Sequence, residues 1–173
     1  MENIVYARPF NTDAQMSIVT GLGKLLADPD QGPFRLVIVD SITSLFRTDY
    51  VGRGELSVRQ QKLNEHLATL NQLASEFNVA ILLVNQVMAD PGANAMFGPV
   101  IRPIGKSLMK FIVIFIHDYL LGGHVLAHAV QTRILMKKGR DTNRICKIID
   151  SPSMPEAEAM ICLTTGGIDD ADQ

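Results

Sequence analysis

Residues 36–62 read LVIVDSITSLFRTDYVGRGELSVRQQK, and this stretch decides the fold. Leu36, Val37, Ile38 and Val39 form an unbroken apolar run, the pattern of a strand buried on both faces of a parallel sheet. Asp40 closes the run at the strand's C-terminal end, where open α/β sheets bind their ligands. The loop that follows carries Arg47, Tyr50 and Arg53, with Arg53 between Gly52 and Gly54, and Glu55 opens a long helix. A carboxylate at a strand tip followed at once by a basic loop predicts nucleotide chemistry coupled to a polyanion.

Upstream, Glu2–Ala7 (ENIVYA) predicts a strand, and Thr12 with Gln15 makes a capping-box pattern ahead of an apolar helical stripe at Ile18, Val19, Leu22, Leu25 and Leu26. Asp28–Pro33 breaks that helix. Downstream, Leu56, Leu63, Leu67, Leu70, Ala74 and Phe77 repeat at helical spacing and mark a buried face, with Arg59 and Lys62 on another. Val79–Val84 is a second fully apolar strand, ended by Asn85-Gln86. A loop from Val87 to Pro103 contains Pro91, Gly92, Gly98, Pro99 and Pro103, and connections of that length are usually functional. The segments 132–138, 143–150 and 159–164 read as strands, with a turn at 139–141. The order predicts an α/β, mostly parallel sheet with an antiparallel C-terminal extension.

At 173 residues and 47% hydrophobic, the chain suits one domain with a real core and excludes a disordered chain. Its net charge of −2 gives no global basic field, so any nucleic-acid contact must come from local Arg and Lys. Cys146 and Cys162 read as buried free thiols of a reducing compartment, with a disulfide as the lesser alternative. The apolar run Ser107–Ile116 is interrupted by Lys110 and ends at His117-Asp118, short of the roughly 20 residues a spanning helix needs, so no membrane is expected. His124 and His128 are spaced four apart but have no third ligand at suitable spacing, which argues against zinc.

Three local readings stay open on residues alone. Asp40 can hold Mg²⁺ through water beside a nucleotide's phosphates, or cap the turn that follows. Arg53 can reach a phosphate and Tyr50 can stack on a base, or both can sit in an ordinary solvated loop. Asn85-Gln86 can bond a γ-phosphate or its water, or tie down their own loop. A phosphate loop of the form G-x-x-x-x-G-K-[ST] is absent: Gly105-Lys106-Ser107 has Val100 where the first glycine belongs, and follows Pro103 rather than a strand.

With these residues laid out, the chain resembles the C-terminal portion of a eukaryotic RecA-family recombinase. The resemblance rests on LVIVDSITSLFR, GRGELSVRQQKL, NVAILLVNQVMADPGANAMF, GGHVLAHA and DSPSMPEAEA, in that order. ADPG at 89–92 and HVLAHA at 124–129 favour the meiosis-specific member over its mitotic paralogue. The resemblance implies a P-loop NTPase core over residues 1–173. In it Asp40 is the Walker B carboxylate, holding Mg²⁺ through water, and Gln86 links ATP state to the second DNA loop. It implies a first DNA-binding loop at Arg47, Tyr50, Arg53, Gly54 and Arg59, and a second from Val87 to Ile104 with Pro91 and Gly92 near the bases. Asp150, Ser151, Pro152, Pro155 and Glu156 are implied to cap ATP bound to a neighbouring protomer, with His128 at the same interface. ATP and Mg²⁺ are the implied cofactors. Single- and double-stranded DNA, a homo-oligomeric helical filament and other recombination proteins are the implied partners, in the nucleus.

Two departures accompany the resemblance. The family's Walker A motif has no counterpart in this sequence and is expected upstream of Met1, which leaves enzymatic activity of this chain alone in question. Residues 106–122 also interrupt the family's Pro-Ile-Gly-Gly-His, which removal of Lys106 to Gly122 restores. Gly105-Lys106-Ser107 can be encoded with a donor-like GTAAGT and Leu121-Gly122 with an acceptor-like TAG, so this apolar insert in the second DNA loop reads as a translated retained intron. The alternative is a genuine apolar insertion.

Overall fold

The structure, a computed structural model, describes residues 4–52, 54–86, 88–89, 101–102, 111–116 and 129–171. The predicted strand at the start is not formed in its described part: residues 4–9 belong to no element, and Ile4, Val5, Tyr6 and Phe10 stand exposed. Helix α1 spans Thr12–Ala27. Its N-cap is Asn11, whose side chain accepts from the Ala14 amide, so the cap lies one residue ahead of the predicted capping box. Gln15, freed from that box, points inward. Of the apolar stripe, Val19 is buried while Ile18 is exposed.

Strand β1 (Leu36–Asp40) and the short helix α2 (Ser44–Asp49) follow, then the 22-residue helix α3 (Leu56–Phe77). Helix α3 ends at Asn78, whose left-handed backbone (φ 49°) lets its amide reach the Ala74 carbonyl. Strand β2 (Ala80–Gln86) then pairs with β1 in parallel, Leu36 opposite Ala80 through Asp40 opposite Val84. A strand–helix–strand unit in which an amphipathic helix returns the chain to a parallel neighbour is what the two apolar runs and the α3 stripe predict.

The core lies where α1, α2 and α3 meet these two strands. Val19, Ile42, Phe46, Leu63, Leu67, Leu70, Leu73, Ala74, Val79, Ile81 and Leu83 are buried together, with Val130 the C-terminal contribution. On α3 the predicted face holds except at its start, where Leu56 is 48% exposed, and His66 and Leu73 join it. Strand β1 departs from its prediction: Leu36 and Ile38 are 48% and 57% exposed. The cause is one-sided cover: Leu36 and Ile38 point to the sheet face opposite Val37 and Val39, the two that pack against the core.

The main sheet has seven strands in the order β1-β2-β5-β6-β7-β8-β9, with β5 Phe111–Ile116, β6 Thr132–Lys138, β7 Asn143–Asp150, β8 Glu158–Thr164 and β9 Gly167–Asp170. Every pairing after β1–β2 is antiparallel. Strands β3 (Met88–Ala89) and β4 (Ile101–Arg102) form a separate antiparallel pair at the two ends of the predicted long loop. The mixed α/β architecture with an antiparallel extension agrees with the sequence reading, which missed β3, β4, β5 and β9. Cys146 and Cys162 are free and half-buried rather than buried, and burial raises the Cys146 thiol. Among the described residues no helix is long and apolar enough to cross a membrane.

Candidate nucleotide and nucleic-acid site

Asp40 ends β1 with its side chain exposed, and the turn that follows is locked to β2. The Ile42 amide donates to the Val84 carbonyl (3.0 Å), and the Thr43 hydroxyl donates to Asn85 Oδ1 (2.5 Å). Both Thr43 and Asn85 are buried, so this bond satisfies two groups that would be costly to leave unpaired. Asn85 thus ties down the turn, one of the two roles its position allows. Beside Asp40, the Ser41 hydroxyl is buried without a hydrogen-bond partner among the described residues.

Beneath the turn sits a polar pair that sequence reasoning missed. Gln15 Nε2 donates to His66 Nε2 (3.1 Å) and approaches the Ile42 carbonyl (3.4 Å). An amide nitrogen can only donate, so His66 Nε2 is the acceptor and the ring is neutral. Burial pushes the His66 pKa down to about 4, and the ring lies 5.8 Å from that of Phe46. The signal available in the sequence was Gln15 and His66 each falling on the inward stripe of its helix.

The basic loop is held at both ends. Asp49 accepts from the Thr12 amide (2.7 Å), which satisfies an orphan donor at the start of α1 and lowers the Asp49 pKa. Tyr50 is half-buried against the core, with the Lys62 ammonium 5.7 Å from its ring centroid. Lys62 also contacts Asp13 at 2.6 Å, and Asp13 and Tyr50 together hold its pKa above the usual lysine range. Further along, the Gly52 amide donates to Glu55 Oε2 (2.7 Å). A Cβ at Gly52 would stand 2.8 Å from that carboxylate oxygen, so a larger residue here would push the Glu55 side chain aside.

Arg47 lies half-buried in the last turn of α2, Gly54 is exposed in open space, and Arg59 is half-exposed on α3. The structure therefore anchors the loop through Tyr50, Lys62, Asp49 and Glu55, while Val51, Gly52 and Gly54 are exposed. Arg53 lies outside the described residues, as do Pro91, Gly92 and His128. Gln86 is the last residue of β2, two positions beyond the partner of Asp40.

The segment 150–156 forms its own polar cluster. Arg133 grips Asp150 Oδ2 with Nη2 (2.6 Å) and Nε (3.2 Å). Ser151 Oγ accepts from the Ser153 and Met154 amides, and Lys147 pairs with Glu156 at 3.3 Å. Pro152 and Pro155 are exposed. Asp40 and Asp150 stand four strand steps apart in the sheet order, roughly 19 Å. Beyond Asp150 the chain leaves β7 toward the opposite end of the sheet from Asp40. The two halves of the predicted nucleotide site are thus not brought together within one chain. Among the described residues no group of three or more His, Cys, Asp or Glu is arranged to hold a metal.

A parallel strand ending in an exposed carboxylate, a locked turn and an anchored basic loop define a RecA-like core. Residues 1–171 match the Rad51 family, and the chain belongs to it. It is 48% identical over 172 residues to the meiotic recombination protein DLH1 of Candida albicans, covering 99% of this chain and 48% of that protein. It is 49% identical over 171 residues to the meiotic recombination protein DMC1 of Saccharomyces cerevisiae, covering 99% and 46%. It is 43% identical over 171 residues to the DMC1 homolog A of Oryza sativa subsp. indica, covering 99% and 44%. The chain spans about half the length of the curated relatives it matches.

Proposed function

We propose that this chain carries the Mg²⁺-carboxylate, DNA-loop and inter-subunit-cap portion of a recombinase that pairs single-stranded DNA with homologous duplex in meiotic recombination, in the nucleus. The observation that carries this reading is the continuous path from Asp40 through the buried Thr43–Asn85 bond into the anchored Arg47–Arg59 loop. That path gives a nucleotide-side carboxylate a stiff mechanical link to a nucleic-acid loop.

Asp40 is exposed and the adjacent Ser41 hydroxyl lacks a protein partner among the described residues, so the strand tip fits a hydrated Mg²⁺ held by the Asp40 carboxylate. Mg²⁺–ATP bound there would supply charge neutralisation at the β- and γ-phosphates. Arg47, Arg53 and Arg59 bind DNA phosphates, with Tyr50 packed beneath the loop. Pro91 and Gly92 contact bases from the second loop, and Gln86 connects that loop to the nucleotide. Asp150, Ser151, Pro152, Pro155 and Glu156, with His128, act on the nucleotide of a neighbouring copy. The separation of this cluster from Asp40 supports that assignment: it suits a head-to-tail contact, which generates a helical filament when the rotation does not close. Other recombination proteins engage the filament.

No phosphate loop exists in this sequence, so the chain alone hydrolyses ATP negligibly; rapid DNA-stimulated turnover by the purified chain would refute this. Fluorescence anisotropy with a labelled single-stranded oligonucleotide tests the DNA reading. Binding weakens with salt, and Arg53→Ala lowers the magnitude of the log–log salt slope by about 0.7 for each phosphate that the arginine neutralises. Salt-independent binding, or no binding, sinks the reading. The absence of a phosphate loop favours a second one: a non-enzymatic module that joins a longer recombinase's filament, recognised by co-purification with that recombinase without DNA.

A further inference from the structure

Strand β5 lies entirely within residues 106–122, the stretch whose removal restores the family's sequence pattern. It is nevertheless the strand that makes the sheet continuous. Six of its residues pair with β2, from Ile81 opposite Ile116 to Gln86 opposite Phe111, and five pair with β6, from Phe111 opposite Met136 to Phe115 opposite Thr132.

Direction adds a second observation. Because β5 is antiparallel to both neighbours, β2 and β6 run the same way, and β1 runs with them. Among β1, β2, β5 and β6, β5 is the one reversed strand. A strand of the opposite sense in its place would turn this region into an unbroken parallel run of four, the ordinary arrangement of sheets that carry nucleotide at their C-terminal ends.

A third observation concerns what such a nucleotide site needs. A phosphate loop follows a strand, and its hydroxyl and the Walker B carboxylate hold one Mg²⁺ between them. That strand must run parallel to β1, end at the same end as Asp40 and lie within a strand or two of it. The β5 position is two steps from β1, roughly 10 Å.

We propose that the position between β2 and β6 is the seat of a phosphate-loop strand carried by longer members of the family, and that residues 111–116 occupy it here in the reverse direction. The segment acts as a surrogate strand. It closes the sheet of this chain on itself and excludes the nucleotide-binding strand that would complete the Asp40 site. This rests on the family reading of Asp40 and on residues 106–122 being foreign to the family pattern.

The test fuses the complementary N-terminal half of the Saccharomyces cerevisiae relative to Met1, in two versions, with residues 106–122 retained or deleted. The deleted version binds a non-hydrolysable ATP analogue, and the retained version binds it at least about tenfold more weakly. Hydrogen exchange shows 111–116 protected in the chain as it stands. Equal affinity in the two fusions overturns the proposal and leaves the family reading intact. No analogue binding by the deleted fusion overturns the proposal together with the Asp40 reading. In the unfused chain, Ile114→Pro removes exchange protection from those amides of 81–86 and 132–136 that bond to β5, while amides bonded to β1 or β7, and those of α3, stay protected. Persistence of protection at the β5-facing amides of both flanks overturns the bridging role.

Discussion

The two halves of the sheet are both paired strand to strand, yet they differ in composition and in what covers them. Around β1 and β2, helices α1 and α3 cover the sheet and bury Leu67, Leu70, Ile81 and Leu83 almost completely. In β6, β7, β8 and β9 nearly every residue is half-buried or exposed, including Met160 at 50% and Ile168 at 70%. Their ladder pairings are in place, but among the described residues of these strands only Leu135 of β6 packs against the helix-lined core. The contrast teaches that pairing alone supplies register, while stability is concentrated where a helix stripe closes over a strand.

The sharpest way to break that contrast is truncation on each side. Leu67→Ala is expected to cost about 2–5 kcal/mol because Leu67 is fully buried. Leu163→Ala, at a position 39% exposed, is expected to fall within about 1 kcal/mol. Urea unfolding of both variants measures this, and equal losses would mean that the antiparallel half has a core of its own.

A smaller effect comes from His66. Its unfolded pKa is the ordinary 6.5 and its folded pKa is about 4, so between those values the unfolded chain takes up a proton that the folded chain does not. Stability therefore falls as pH drops from about 6.5 toward 4, by up to roughly 3 kcal/mol, and this contribution is flat above 6.5. His66→Gln should remove the difference between stabilities measured at pH 7 and pH 5 that this group causes; an unchanged difference would place the acid sensitivity elsewhere. The smallest expected effect is Arg133→Ala. Despite its two bonds to Asp150, the pair is partly solvated, so the change in thermal midpoint should correspond to less than about 1 kcal/mol.

Much of the parallel half was legible because its elements are long and periodic. The four-aliphatic run before Asp40, the run at 79–84 and the α3 stripe each specify an element without tertiary help. The reading failed where neighbours decide. Leu36 and Ile38 look buried in sequence, yet they point to the sheet face turned away from the core that Val37 and Val39 join. Residues 4–7, the described part of the strand expected at Glu2–Ala7, form no strand, since pattern records a capacity to pair rather than a partner. Of the candidate site, Asp40, Arg47, Tyr50 and the 150–156 cluster were put forward from residue type and the family likeness. Gln15, His66, Asp49 and Lys62 were not, because their roles arise from contacts spanning 51, 37 and 49 positions of chain.

The edge of β1 has a consequence for solution behaviour. Along one side of residues 36–40, backbone donors and acceptors lie without a neighbouring strand among the described residues, beside apolar side chains in water. Such an edge is a template for any extended segment, and Ile4–Phe10 of another molecule is apolar and exposed. Protein concentration is therefore a structural variable for this chain: diluting it and crowding it set how often that edge meets a strand.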